Sequence, residues 1–281
     1  MLCDPERMGV SSTTSTRFAT SADNTPIAYE ATGSGPTVVI VEGALCHRGM
    51  GAFDELAPIM ADRFTVVGYD RRGRGESNPG RSPYAVQREV EDLVAVLESV
   101  GPRAFVFGMS SGAALSLEAA RQGLLNGRLA VYEPPFILDE SHEPDDPDFT
   151  DHQRALLAGG HRTRAVKAFL RLLGAPAPVV TVMPLLPMWK KLTASADTLP
   201  NDFDTVSPYR RGQPQPDDHY AAISVPTLLI AGGKSPAYLQ HAPVAIAAQS
   251  PGAATAILAG QTHEVKAEAL APVLASHFLG D

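Results

Sequence analysis

Short apolar runs and longer mixed runs alternate along most of this chain, and the alternation predicts its architecture. Residues 37–42 (TVVIVE), 64–70 (FTVVGYD), 104–108 (AFVFG), 128–133 and 227–231 (TLLIA) are β-branched or apolar almost without interruption. Continuous runs of that length read as strands buried on both faces of a sheet, where no position is left for solvent. Residues 26–31 and 254–258 are further strand candidates. Between them the period lengthens. At 86–100, Val86, Val90, Leu93 and Leu97 fall on one helical face, with Arg88, Asp92 and Ser99 opposite. Residues 111–122, 242–249 (with Pro243 in the first turn) and 264–279 read as helices too. Strand and helix in alternation predict an α/β fold with a mostly parallel sheet covered on both faces.

One stretch departs from the rhythm. Residues 136–222 offer helices near 151–157 and 162–173 and much proline, but no clear strand. The pattern therefore divides the chain into a flexible N-terminus (1–15), an α/β core (16–135 and 223–281) and a helical insertion between the two core segments. The acidic run DESHEPDDPD at its start reads as a solvated rim. Residues 172–189 carry no charge and come nearest to a membrane span, but Pro176, Pro178, Pro184 and Pro187 interrupt any continuous helix. The segment reads instead as an irregular apolar roof over a pocket. Leu185, Leu186, Met188 and Trp189 would face the substrate.

Composition narrows the classes. The 281 residues suffice for one large domain or a core with an insertion, and 44% hydrophobic content supports a sizeable core. A net charge of −8 argues against a nucleic-acid module, which would present a basic face. The only cysteines, Cys3 and Cys46, cannot form a disulfide framework, and the first fifteen residues hold charges and hydroxyls instead of a secretory apolar run. Both point to a reducing, cytoplasmic setting. No Cys/His cluster has zinc spacing, so neither a metal nor another cofactor is expected.

The chemistry gathers after the strand at 104–108. Gly108-Met109-Ser110-Ser111-Gly112 follows it and leads into the helix AALSLEAA, so G-x-S-x-G stands in its required setting of strand, sharp turn and helix. The glycines permit the chain to double back. Ser110 is thereby lifted to a helix N-terminus, where amides and the helix dipole favour negative charge. A serine needs a base, and His263 in GQTHEV lies between the last strand and the last helix, at the carboxyl edge of the sheet where sites of parallel sheets gather. Other glycine-rich stretches lead nowhere. AGGKSP lacks the glycine a phosphate loop needs at Leu228, and RRGRGESNPG has Asn78 where a dinucleotide fingerprint needs its third glycine. The arginines at 71, 72 and 74 read as ion-paired supports of a turn.

Over nearly its full length the chain resembles the α/β-hydrolase fold family. The resemblance rests on SADNTPIAYEATGSGP, on YDRRGRGES after a strand, on GMSSG and on the late histidine. It implies a serine–acid–histidine order, an oxyanion hole and a helical cap inserted after the sixth core strand, where residues 136–222 fall. The family's acid usually follows the seventh core strand, but AGGKSPAYL offers none. A subset similar to haloalkane dehalogenases places a carboxylate after the sixth strand, and this chain has Glu133 there, with Asp139 and Glu140 as substitutes. By position the amides of Ala44 and Ser111 would form the oxyanion hole. Where the family often has histidine this chain has Glu42, as an ion pair with Arg48 or Arg71 or as an auxiliary proton donor. Leu45, Met109, Leu186 and Trp189 complete the expected substrate pocket.

The expectation is a cofactor-free serine hydrolase, cleaving an ester, thioester or lactone of an apolar small molecule through an acyl-enzyme, as a monomer or homodimer without nucleic-acid or membrane partners. The alternatives are non-ester chemistry on the same fold (carbon–carbon bond hydrolysis, a lyase or cyclase step, haloperoxidase-like perhydrolysis) and a non-catalytic ligand-binding protein.

Overall fold

The computed structural model describes residues 15–81, 83–101 and 103–281. Eight strands form one sheet: β1 (Arg17–Thr20), β2 (Pro26–Gly33), β3 (Thr37–Val41), β4 (Thr65–Tyr69), β5 (Phe105–Met109), β6 (Leu129–Tyr132), β7 (Thr227–Gly232) and β8 (Ala253–Leu258). Their spatial order is β1-β2-β4-β3-β5-β6-β7-β8. The β1–β2 and β2–β4 pairings are antiparallel and all others parallel. This is the mostly parallel, doubly covered sheet that the hydrophobic runs predict.

The side-chain period of two divides each central strand between two cores. Val39, Val41, Val106, Val131 and Leu229 face one side, where α2 (Val86–Val100), α3 (Ser111–Arg121) and α9 (Ala237–Gln249) cover them. Val38, Ile40, Phe107, Ala130 and Ile230 face the other, under α1 (Ala52–Met60) and α10 (Ala267–Leu279). Asp92, assigned to the polar face of its helix by the pattern, is buried instead, because Arg72 Nη2 and Nε donate to its carboxylate at 2.6 and 2.7 Å.

Between β6 and β7 the described residues form no strand. They form α4 (Phe149–Ala158), α5 (Arg162–Leu172), α6 (Ala177–Val182), α7 (Met188–Ala194) and α8 (Leu199–Val206), with short 3-10 turns between. Residues 172–189 are not irregular throughout: proline sits in the first turn of α6 and at the boundary of α7, where it is tolerated. No helix among the described residues is long and apolar enough to cross a membrane. Cys3 and nearly all of the expected flexible N-terminus lie outside the described residues.

Candidate active site

The turn from β5 into α3 is shaped by two close approaches. A Cβ on Gly108 would come within 2.5 Å of Ser116 Oγ, and one on Gly112 within 2.1 Å of the Val41 carbonyl. Only glycine lets strand, turn and helix pack at that spacing. Ser110 itself is held at φ 55°, ψ −120°, a region that side-chain-bearing residues rarely enter. Its amide is fixed by a 3.0 Å bond to the Tyr132 carbonyl of the neighbouring strand.

Glu133 follows β6 directly and is also strained, at φ 46°. Its carboxylate is fully buried and spends both oxygens on defined partners. Oε1 accepts the Gly232 amide at 2.7 Å, and Oε2 accepts His263 Nδ1–H at 2.7 Å. An acceptor on Nδ1 fixes the imidazole so that Nε2 is left for other work. The His263 loop is anchored a second time: Tyr132 Oη donates to the Thr262 carbonyl at 2.5 Å. Asp139 and Glu140 are not drawn to His263; Asp139 pairs with His241.

Ser110 and His263 line two adjoining cavities, together with Ala44, Phe169 and Leu173. The wider, about 640 Å³, opens past Glu42, Met109 and Lys266. The narrower, about 140 Å³, runs under the insertion between Leu172, Phe203, Val206, Tyr238 and Leu239. Of the expected pocket residues, Met109 is on the wall but Leu45, Leu186 and Trp189 are not. Leu45 and Trp189 are buried in a separate cluster with Ala165, Val166 and Leu199, and Leu186 is 48% exposed. The roof is made instead by α5 and α8. Trp189 folds inward because α7 carries its own ring back onto α5, where Nε1 donates to Thr163 Oγ1 at 3.4 Å.

Among the described residues neither the Ala44 amide nor the Ser111 amide has an acceptor. Both are beside Ser110 on the cavity wall. Glu42 forms no ion pair with Arg48 or Arg71. Its carboxylate accepts the Ala52 and Phe53 amides at 3.0 and 2.8 Å and so caps α1 from the residue just after β3. Burial pushes its carboxyl up to about 7, against the opposing pull of those two amides. Beside it, burial pushes the Cys46 thiol up to about 12.

The three arginines after β4 are buried and ion-paired: Arg72 with Asp92 and Asp23, Arg71 with Glu89 and Asp202, and Arg74 with Asp202. Arg48, in the loop after β3, pairs with Asp70 and Glu76. Asp202, on α8, was missed in the sequence. Its signal was there: Leu199, Asp202, Phe203 and Val206 share one helical face, and an acid on an otherwise apolar stripe needs a buried cation. No group of three or more candidate metal ligands occurs among the described residues.

Comparison with known proteins identifies the fold. Residues 43–273 match the family model described as "Alpha/beta hydrolase family". The fold superposes on that of an alpha/beta hydrolase from Sphaerobacter thermophilus, with 45% identity, a TM-score of 0.84, and coverage of 93% of this chain and 100% of that one. A bromoperoxidase from Bacillus anthracis shares the fold at 19% identity and TM-score 0.72, covering 95% of this chain and 100% of that one. An uncharacterized hydrolase, YraK, of Bacillus subtilis is 29% identical over 52% of this chain, which spans about half (54%) of that curated relative.

Proposed function

The chain belongs to the alpha/beta hydrolase family, and on that footing we propose that it is a cofactor-free serine hydrolase of small apolar esters, thioesters or lactones. The reading rests above all on one observation: Ser110, on a strained strand-to-helix turn, shares its cavity with a histidine whose Nδ1 is held by the buried Glu133. His263 accepts the Ser110 proton through Nε2 as Oγ attacks the carbonyl carbon, while Glu133 balances the imidazolium. The carbonyl oxygen becomes an oxyanion and accepts from the free Ala44 and Ser111 amides, next to the N-terminus of α3. His263 then returns the proton to the leaving oxygen or sulfur, that bond breaks, and water repeats the sequence on the acyl-enzyme.

The insertion acts as a cap. The narrow cavity beneath α5 and α8, walled by Phe169, Leu172, Phe203 and Val206, takes the acyl group, and the wider one takes the leaving group. Glu42 stays outside the reaction, because both its oxygens are held by α1 amides. Ser110→Ala is expected to lower turnover of short p-nitrophenyl esters by about 10³-fold or more, and a fluorophosphonate is expected to label Ser110 covalently in the wild type. Full activity in the variant overturns the mechanism.

A further inference from the structure

Two amides that would bind an oxyanion are only as good as the peptide planes that carry them. The Gly43–Ala44 peptide is planar, so the Gly43 carbonyl and the Ala44 N–H point in opposite directions. Arg74 Nη1 donates to that carbonyl at 2.6 Å and to the Cys46 carbonyl at 3.1 Å, which turns the Ala44 N–H the other way. Arg71 Nη1 donates to the Glu42 carbonyl at 3.3 Å and to Ser111 Oγ at 3.0 Å, reaching the residue that carries the second amide. Both guanidiniums are buried, and both converge on one anion. Asp202 Oδ1 accepts from Arg71 Nη1 at 2.8 Å and from Ser111 Oγ at 2.7 Å, and Oδ2 accepts from Arg74 Nη2 at 2.7 Å.

Asp202 is not part of the core. It belongs to α8 of the cap, as does the turn bearing Thr198, whose Oγ1 accepts from Arg74 Nε at 3.0 Å. The Arg71 guanidinium is otherwise neutralised by Glu89, at 2.5 and 2.9 Å, which leaves Asp202 as the carboxylate on Arg74. Burial alone would favour a neutral Asp202, but Arg74 and Arg71 hold its carboxyl below the usual carboxylate range. It is therefore a fixed charge on the wall of the narrow cavity, with both oxygens engaged by the core.

Resting on the serine-hydrolase reading above, we propose that Asp202 is a positioning residue for the oxyanion hole: the cap, through one carboxylate, sets the aim of the Ala44 and Ser111 amides by holding Arg74 and Ser111 in place. Cap and hole thus form one unit. A substrate held under a well-seated cap meets a finished hole; a cap displaced from the core leaves Arg74 without its anion and the Gly43 carbonyl with the longer 3.3 Å bond from the Cys46 amide as its remaining fixed donor.

The test is Asp202→Asn, assayed on a short p-nitrophenyl ester that makes little contact with the roof. The expected result is a fall in kcat of about 10- to 100-fold with KM within about twofold, and a matching slowing of Ser110 phosphonylation by a fluorophosphonate, whose P=O oxygen occupies the same hole. Asp202→Glu is expected to recover part of kcat. A folded Asp202→Asn enzyme with lowered melting temperature but wild-type kcat and labelling rate overturns the proposal, since a purely structural contact predicts that pattern. If Asp202→Asn does not fold, Thr198→Val and Ser111→Ala decide. Each is expected to lose kcat several-fold at constant KM, and wild-type kcat in both overturns it. Failure of the underlying reading looks different: the wild type itself is then not labelled at Ser110, and Ser110→Ala keeps its turnover.

Discussion

The two halves of the helical insertion between β6 and β7 invert the usual relation between hydropathy and burial. The half built on α6 and α7 is the more apolar in sequence, yet Val182 is 55% and Leu185 85% exposed. The half built on α8 carries Thr198, Asp202 and Thr205, and all three are buried together with Leu199, Phe203 and Val206. The polar groups of α8 go inside because fixed partners await them: guanidiniums for Asp202, and the Asn201 and Ser195 carbonyls for the two threonines. In the half built on α6 and α7 only Trp189 and Val180 are fully buried, with Met183 and Leu192 packed part-way against the Trp189 cluster, and the remaining exposed apolar side chains are cheap. What roofs a site is decided by complementarity with the surface beneath, not by the apolar content of the segment.

That contrast is open to measurement. The largest effect is expected at Phe203, which packs edge-on to Phe149 at 4.7 Å and lines the narrow cavity. Phe203→Ala is expected to cost about 3–5 kcal/mol in denaturant unfolding and to weaken discrimination between short and long acyl chains. A cost below about 1 kcal/mol would place α8 among loosely seated elements and break the comparison.

An intermediate effect is expected at the buried Glu42, against the N-terminus of α1. Its carboxyl is raised from 4.5 to about 7, so the folded protein holds this proton more tightly than the unfolded chain. Stability from this group is thus fully present below the unfolded value and declines as pH rises towards 7. Glu42→Gln removes the linkage while the other titrating groups cancel between the two proteins. The wild-type unfolding free energy, less that of the variant, is expected to drop by as much as about 3 kcal/mol from pH 4.5 to 7. A difference that is flat or rises with pH is the contrary result. The smallest effect is expected on the outward half: Leu185→Ser should stay within about 0.5 kcal/mol of wild type, with unchanged turnover of short esters. A loss comparable to that of Phe203→Ala would show that the turn between α6 and α7 is covered after all.

Much of the core was legible in the sequence, and for a physical reason. Strands buried on both faces must be apolar at every position, so β3 to β7 announce themselves; β1, short and mostly exposed, carries no such mark and was not anticipated. The helix α1 was also missed, because its cap is the side chain of Glu42, just after the preceding strand, and not a residue at its own start. Ser110 and His263 were nameable because turn chemistry and position relative to strand ends are local properties, whereas Glu133 was named through the family resemblance, which in one subset places a carboxylate after the sixth strand. Which side of α7 faces inward is a tertiary property, and so Leu186 and Trp189 were assigned to a wall they do not form. The arginines of the DRRGRGES turn were read as ion-paired supports, but their partners lie as far away in sequence as Asp202, beyond any local pattern.

Ser110 and Glu133 share one feature whose consequence reaches beyond the reaction: both stand at positive φ without being glycine. Each such residue costs about 1 kcal/mol or more in backbone energy, which the rest of the fold must absorb. These two strained positions of the site are therefore positions where glycine or asparagine would be the better folder. Selection for robustness alone would erode this protein from its centre outward. In directed evolution, a library ranked by melting temperature needs an activity counter-screen from the first round, because the most attractive stabilising changes are also the ones that empty the site.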